Sequence, residues 1–277
     1  MLKILVPITF ARGDSSGINM AFYIAKHQPC RITLLNCIPE TIDREKEDRD
    51  YATKAAQLHE RLAKYTELAR EHNACIHNNL IIDSMLEYGY PEEIIVQTAH
   101  TKGYDLVVMT SDSSENDMKQ VTGSITNDVL RRIKVPLLVV PTHYKMQKDQ
   151  ITDILIGINF IKQEYTPLHQ FISIVMEYRC KIHCIQFSNK RPTEEDMVAA
   201  NNLNTYLTQT YRSAHFITEF IMGEDFYDTI NDYIFKKNIQ LITLIKKPKG
   251  NLFHWSRSSY TGKALYHIKI PVLIINH

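Results

Sequence analysis

A pattern that occurs twice constrains this chain more than any other feature. Ile4-Leu5-Val6-Pro7-Ile8-Thr9-Phe10 returns as Ile154-Leu155-Ile156-Gly157-Ile158-Asn159-Phe160, an offset of 150. Cys30-Arg31-Ile32 returns as Cys180-Lys181-Ile182 at the same offset. Further along the offset is 135: Asp105-Leu106-Val107 meets Gln240-Leu241-Ile242, Gly123-Ser124 meets Ser258-Ser259, Thr126 meets Thr261, and Pro136 meets Pro271. The change of 15 predicts a shorter middle segment in the second half. A repeat of this length is a domain rather than a short solenoid unit. The chain therefore divides into two copies of one domain, 1–143 and 150–277, joined around Thr142 to Thr152.

Each copy alternates strand and helix. Ile4 to Ile8 is a short apolar run of the kind buried in a parallel sheet. Asp14 or Ser15 is placed to cap a helix whose Ile18, Ala21, Phe22 and Ala25 share a face. Arg31 to Ile38 is a second strand. From Arg44 to Asn73, Tyr51, Ala55, Leu58, Leu62, Tyr65 and Leu68 recur at spacings of three and four, which predicts a long amphipathic helix. A third strand is expected near Ile76 to Ile82, and Gly89-Tyr90-Pro91 with Glu92 and Glu93 opens a short helix. Five alternating units imply a parallel sheet.

The stretch from Tyr104 to Pro141 closes the first copy. Leu106 to Met109 is a buried strand, and a polar loop leads to Gly123-Ser124. Beyond it Ile125, Val129 and Ile133 recur every fourth residue, with Asp128 in the first turn and Arg131, Arg132 and Lys134 near the end. Pro136 stops the helix before a last strand, Leu137 to Val140. A helix opening Gly-Ser-x-Thr offers free N–H groups and hydroxyls to an anion, with a glycine that permits close approach.

This loop resembles the signature of the universal stress protein family, in which strand 4 runs into G-x2-G-x9-G-[ST]. In the members that bind ATP, the loop holds the phosphates. Gly123, Ser124 and Thr126 match the helix half of that signature, whereas Ser113 and Thr110 stand where its two earlier glycines fall. The family also commonly carries an aspartate just after strand 1, near the adenosine; this chain has Thr9, and Asn159 in the second copy. The resemblance covers nearly the whole chain as a tandem pair. It implies two open parallel five-stranded sheets flanked by helices, Rossmann-like, with strand order 3-2-1-4-5. Ligands of such sheets bind where the order reverses, beyond the carboxyl ends of the strands. In the first copy that crevice would be lined by Thr9, Thr110, Ser113, Gly123, Ser124 and Thr126. Asn159, Ile245, Pro248, Ser258, Ser259 and Thr261 are the counterparts in the second. There Lys246, Lys247, Lys249 and Arg257 make a basic loop, and His254-Trp255 lies within it.

Composition excludes several classes of function. With 32 basic and 31 acidic side chains the net charge is +1, which gives no general pull toward nucleic acid or an anionic membrane. No apolar run approaches the length of a membrane span, and the opening MLKILVPITF is expected to be strand 1 rather than a signal peptide. Five widely spaced cysteines suit a reducing compartment, so a cytoplasmic protein is expected. Cys180 and Cys184 would share a strand face, as buried thiols rather than metal ligands. No HExxH or GxxxxGK[ST] pattern occurs, and the glycine-bracketed Gly13-Asp14-Ser15-Ser16-Gly17 is read as a strand–helix turn with a cap.

Three functions stay open on this footing. One is a non-catalytic stress-response regulator that binds ATP, with Mg, or another phosphate-bearing small molecule in the first copy. Another is a tandem interaction module that binds no nucleotide and acts on a protein partner. The third, a nucleotide-handling α/β enzyme, is disfavoured by the lack of HxGH or SGGxDS motifs; at most slow incidental ATP hydrolysis is expected. The final apolar strands of the two copies are expected to pair as an intramolecular pseudo-dimer, with a homodimer of the whole chain as a further option.

Overall fold

The computed structural model describes residues 1–10, 13–38, 48–73, 80–111, 125–146, 150–161, 165–246 and 268–276, and within the second helix it leaves aside the side chains of residues 48–55, 69 and 72–73. Two compact units emerge, Met1–His143 and Tyr144–His277.

Unit 1 runs β1 (Leu2–Pro7), α1 (Asp14–Ala25), β2 (Cys30–Ile38), α2 (Asp48–Asn73), β3 (Ile81–Tyr88), α3 (Pro91–Thr101), β4 (Leu106–Ser111), α4 (Ile125–Arg132) and β5 (Leu137–Pro141). Its strands are all parallel, in the order β3-β2-β1-β4-β5. The central strands are sealed on both faces: Ile4, Leu5, Ile32, Leu34, Leu106, Val107 and Val108 have no exposed surface. This explains their unbroken apolar runs. Right-handed crossovers put α1 and α2 on one face and α3 and α4 on the other. On the second face, Arg132 lies 3.4 Å from Glu93, and His100 Nε2 accepts the Lys134 N–H.

Unit 2 runs β6 (Asp153–Gly157), α5 (Tyr165–Val175), β7 (Lys181–Ser188), α6 (Glu194–Thr210), β8 (His215–Met222), α7 (Phe226–Lys237), β9 (Leu241–Lys246) and β10 (Val272–Asn276). Its strand order is β8-β7-β6-β9-β10, again parallel throughout. The counterpart of α4 would fall outside the described residues. Register repeats along with sequence. Ile4 faces Ile32 as Ile154 faces Ile182, and Ile4 faces Leu106 as Ile154 faces Leu241. The offset changes in the second crossover, where α2 has 26 residues and α6 has 17. At a rise of ~1.5 Å per residue these helices are ~39 Å and ~26 Å long.

Four expectations change in detail. The third strand is Ile81–Tyr88, not a run centred before residue 80; residues 74–79 lie outside the described residues. Ile125 is 39% exposed, so the buried face of α4 rests on Val129 and continues in Ile133 just beyond it. Asp14 belongs to the first turn of α1 and does not cap it; Gly13 holds the cap position without a side-chain bond. Of the long helix's expected face, Leu62 is sealed and Leu68 is exposed, whereas the side chains of Tyr51 and Ala55 lie outside the described residues.

Candidate functional site

The carboxyl ends of β1 and β4 are neighbours in unit 1, because β1 pairs with β2 on one side and with β4 on the other. That is the reversal point of the sheet, where a crevice opens. The segment leaving β1 is held by the end of β2. The Ile8 N–H donates to the Leu35 carbonyl at 2.8 Å, and the Asn36 carboxamide Nδ2 donates to the Ile8 carbonyl at 2.8 Å.

Thr9 follows at once, and Asp14 reaches back to it. The Thr9 N–H donates to Asp14 Oδ2 at 2.8 Å and its hydroxyl donates to Oδ1 at 3.3 Å. Asp14 is buried, so a carboxylate does lie beside this turn, supplied from the start of α1. Phe10 then takes a left-handed backbone conformation, φ 62°, which costs an L-residue roughly 1–2 kcal/mol. Its ring lies under the Arg61 guanidinium, 4.5 Å from the centroid, and meets Tyr65 edge-on at 6.1 Å. Arg61 also donates to the Phe10 carbonyl at 3.4 Å. Burial first, and the nearby Asp14 charge second, push the Tyr65 hydroxyl above its ordinary range.

On the β4 side, the Thr126 hydroxyl donates to the Thr110 carbonyl at 3.4 Å. The Thr110 methyl lies 3.2 Å from where a Cβ on Gly17 would stand, so the absence of a side chain there lets α1 approach β4. The Thr142 N–H and hydroxyl both donate to the Ser111 carbonyl, and the Ser16 hydroxyl donates to the Thr142 carbonyl at 2.6 Å. A Cβ on Gly13 would come within 2.7 Å of the Thr142 methyl. Hydroxyls thus tie the start of α1 to the ends of β4 and β5.

Of the residues expected at this site, Thr110 and Thr126 are brought into contact, and Thr9 is joined to the same edge through α1. Ser113, Gly123 and Ser124 lie outside the described residues. The sequence reading overlooked Asp14 as the partner of Thr9, along with Asn36, Arg61 and Tyr65. One signal was available: Gln186 stands 150 positions after Asn36.

In unit 2 that glutamine also holds the segment leaving the first strand, but as an acceptor and two residues further on. Its Oε1 accepts the Phe160 N–H at 2.8 Å, while the Ile158 N–H donates to the Ile185 carbonyl. Asn159, between them, is half-buried. Ile245, the counterpart of Thr110, is sealed in β9, and Lys246 after it is half-buried, its ammonium pushed down by burial. Pro248, Ser258, Ser259, Thr261, Lys247, Lys249, Arg257, His254 and Trp255 lie outside the described residues. Cys180 and Cys184 are both buried, and burial pushes each thiol up to about 12, which leaves them inert. Among the described residues no group of three or more histidine, cysteine or acidic side chains could hold a metal ion, and no helix is long and apolar enough to cross a membrane.

Comparison with known proteins bears on this geometry. The model of the universal stress protein family matches residues 1–141, a span that includes Thr9, Thr110 and Thr126. A universal stress protein from Archaeoglobus fulgidus superposes with a TM-score of 0.76 at 16% identity, over 99% of this chain and 96% of that one. A functionally unknown protein from Pseudomonas aeruginosa does so with a TM-score of 0.62 at 14% identity, over 99% and 92%. At such identities the likeness carries the fold, and it extends over both halves. A search of curated proteins found no match to this chain.

Proposed function

The chain belongs to the universal stress protein family, and from that membership we propose a non-catalytic stress-response regulator whose first unit binds a phosphate-bearing nucleotide. ATP with Mg is the first ligand to try. One observation carries this reading: the ends of β1 and β4 lie side by side at the sheet's reversal point, edged by Thr9, Thr110 and Thr126. The chain then passes through Gly123-Ser124 into α4, whose first turn offers N–H groups to a phosphate. A regulatory role fits better than catalysis because the polar atoms described here are engaged locally. Asp14 accepts from Thr9, Thr126 donates to Thr110, and Tyr65 is held toward its neutral form.

A second reading, an interaction module without nucleotide that acts through a protein partner, is favoured by Thr110 itself. Its methyl fills space against Gly17 where the family signature has a glycine, and a β-branched side chain restricts the backbone that would approach a phosphate. Calorimetric titration with Mg-ATP, of the parent and of Gly123→Val, separates the two. Heat from the parent and none from the variant is the expected result, because the added side chain blocks the approach to α4. A parent that gives no heat at millimolar ATP, and carries no nucleotide through purification, would leave the interaction module.

A further inference from the structure

Four side chains of unit 2, away from the strand ends just described, form one continuous hydrogen-bonded chain. Asp153 opens β6, His183 lies on β7, Glu219 on β8, and Tyr233 comes from α7. His183 is 2% exposed. Its Nε2 lies 3.0 Å from Asp153 Oδ1 and its Nδ1 lies 2.9 Å from the Tyr233 oxygen. The Tyr233 hydroxyl donates to Glu219 Oε2 at 2.6 Å. Lys237, one turn on, stands 3.9 Å from Glu219 Oε1 and 5.7 Å from the centroid of the Tyr233 ring.

Counting hydrogens fixes the protonation of this chain. Three hydrogen bonds need three hydrogens, and ionised carboxylates only accept. Tyrosine has one to give, and it goes to Glu219. Both remaining hydrogens must come from the imidazole, one on each nitrogen. We infer that His183 is held as a doubly protonated imidazolium between the Asp153 carboxylate and the Tyr233 oxygen, and that its loss of one proton switches the single Tyr233 hydrogen from Glu219 to His183. The step balances simply. The Nδ1 proton leaves to water, Nε2–H stays on Asp153, and the Tyr233 O–H turns to donate to the bared Nδ1. Glu219 then loses its donor and is left to Lys237 and solvent. The charge on one buried ring thus sets whether Glu219, on the edge strand β8 of the unit, is held by the Tyr233 hydroxyl or only by the half-exposed Lys237 farther along α7.

The surroundings leave His183 as the group that changes. Cys184 beside it and Cys180 before β7 have thiols pushed up to about 12 by burial. Burial, and after it the bond to Glu219, push the Tyr233 hydroxyl far above its ordinary range, so it keeps its hydrogen throughout. Lys181 and His215 begin β7 and β8 at exposed positions in register with Asp153 and with each other. On α7, Asp232 and Lys236 pair with each other at 3.5 Å in solvent.

Nuclear magnetic resonance on the full chain tests this, with labelled histidine nitrogens and glutamate carboxyl carbons, from about pH 5 to about pH 8, where histidine ordinarily changes charge. Both His183 nitrogens should be protonated at the low end. As pH rises Nδ1 alone should lose its proton, and the Glu219 carboxyl signal should move with the same midpoint. In Tyr233→Phe the His183 transition should persist while the Glu219 response disappears. Glu219→Gln, a half-exposed change that spares the core, should lower the His183 midpoint. A ring that is neutral at the low end, a proton lost from Nε2, a Glu219 response that survives Tyr233→Phe, or a midpoint unmoved by Glu219→Gln would each overturn the inference.

Discussion

Thr243 carries a hydroxyl sealed inside unit 2, and among the described residues it has no hydrogen-bond partner. Its counterpart in unit 1, at the offset of 135, is Val108, equally sealed. Burying an unsatisfied hydroxyl costs roughly 1–3 kcal/mol, and valine has nearly the same shape without that cost. Thr243→Val should therefore stabilise the protein by about 1 kcal/mol, read as a higher urea midpoint with an unchanged slope. Sequence showed this scale unevenly. Thr126 followed from the Gly-Ser-x-Thr helix start, and Thr110 from the resemblance, by counting back along the family signature from Gly123. Asp14 did not, because an aspartate before an apolar helical face looks like a cap whichever way its carboxylate turns. Here the turn leaving β1 has its own N–H to satisfy, and that N–H takes the carboxylate. Arg61 was hidden for another reason: it meets Phe10 across 51 positions of chain, beyond any local periodicity.

The helices of unit 2 show what a terminus requires. Asp225 accepts from the N–H groups of Tyr227 and Asp228 at 2.7 and 3.0 Å, and α7 ends in Lys236, Lys237 and a left-handed Asn238. Thr193 and Asp196 form a reciprocal box at the start of α6. Asp225→Ala should cost about 1 kcal/mol, visible as a lower urea midpoint, since two end donors lose their acceptor. Buried strands were plain in the sequence because both faces are apolar. β3 was not, for it is the edge of its unit's sheet, with β2 as its one strand neighbour in that unit. Its half-exposed face carries Asp83, bridged to Arg31 at 2.8 Å, and Glu87, bridged to Lys102 at 3.1 Å. Those charges interrupt the apolar run, so only its start, Leu80-Ile81-Ile82, looked like a strand, and the boundary was set too early.

At the scale of the whole chain, the repeat is the most legible feature, since register follows it pair by pair through five strands of each unit. Nearly all of the difference between the copies lies in the second crossover, where the offset falls from 150 to 134 (215 − 81); the third crossover adds one residue back, to 135 (242 − 107). α6, ~26 Å long, nearly matches an eight-residue strand, whereas α2 overshoots one by ~13 Å. The first copy thus holds extra chain at a place where the second has none, and no strand pairing has slipped because of it. For a protein engineer this marks a graft point. A flexible stretch of about 15 residues set between Arg191 and Pro192, ahead of the capping box of α6, should leave the thermal midpoint nearly unchanged, because lengthening a surface connection adds little closure entropy. A fluorescent reporter or an affinity handle placed there would ride on a position the molecule has already shown it can lengthen.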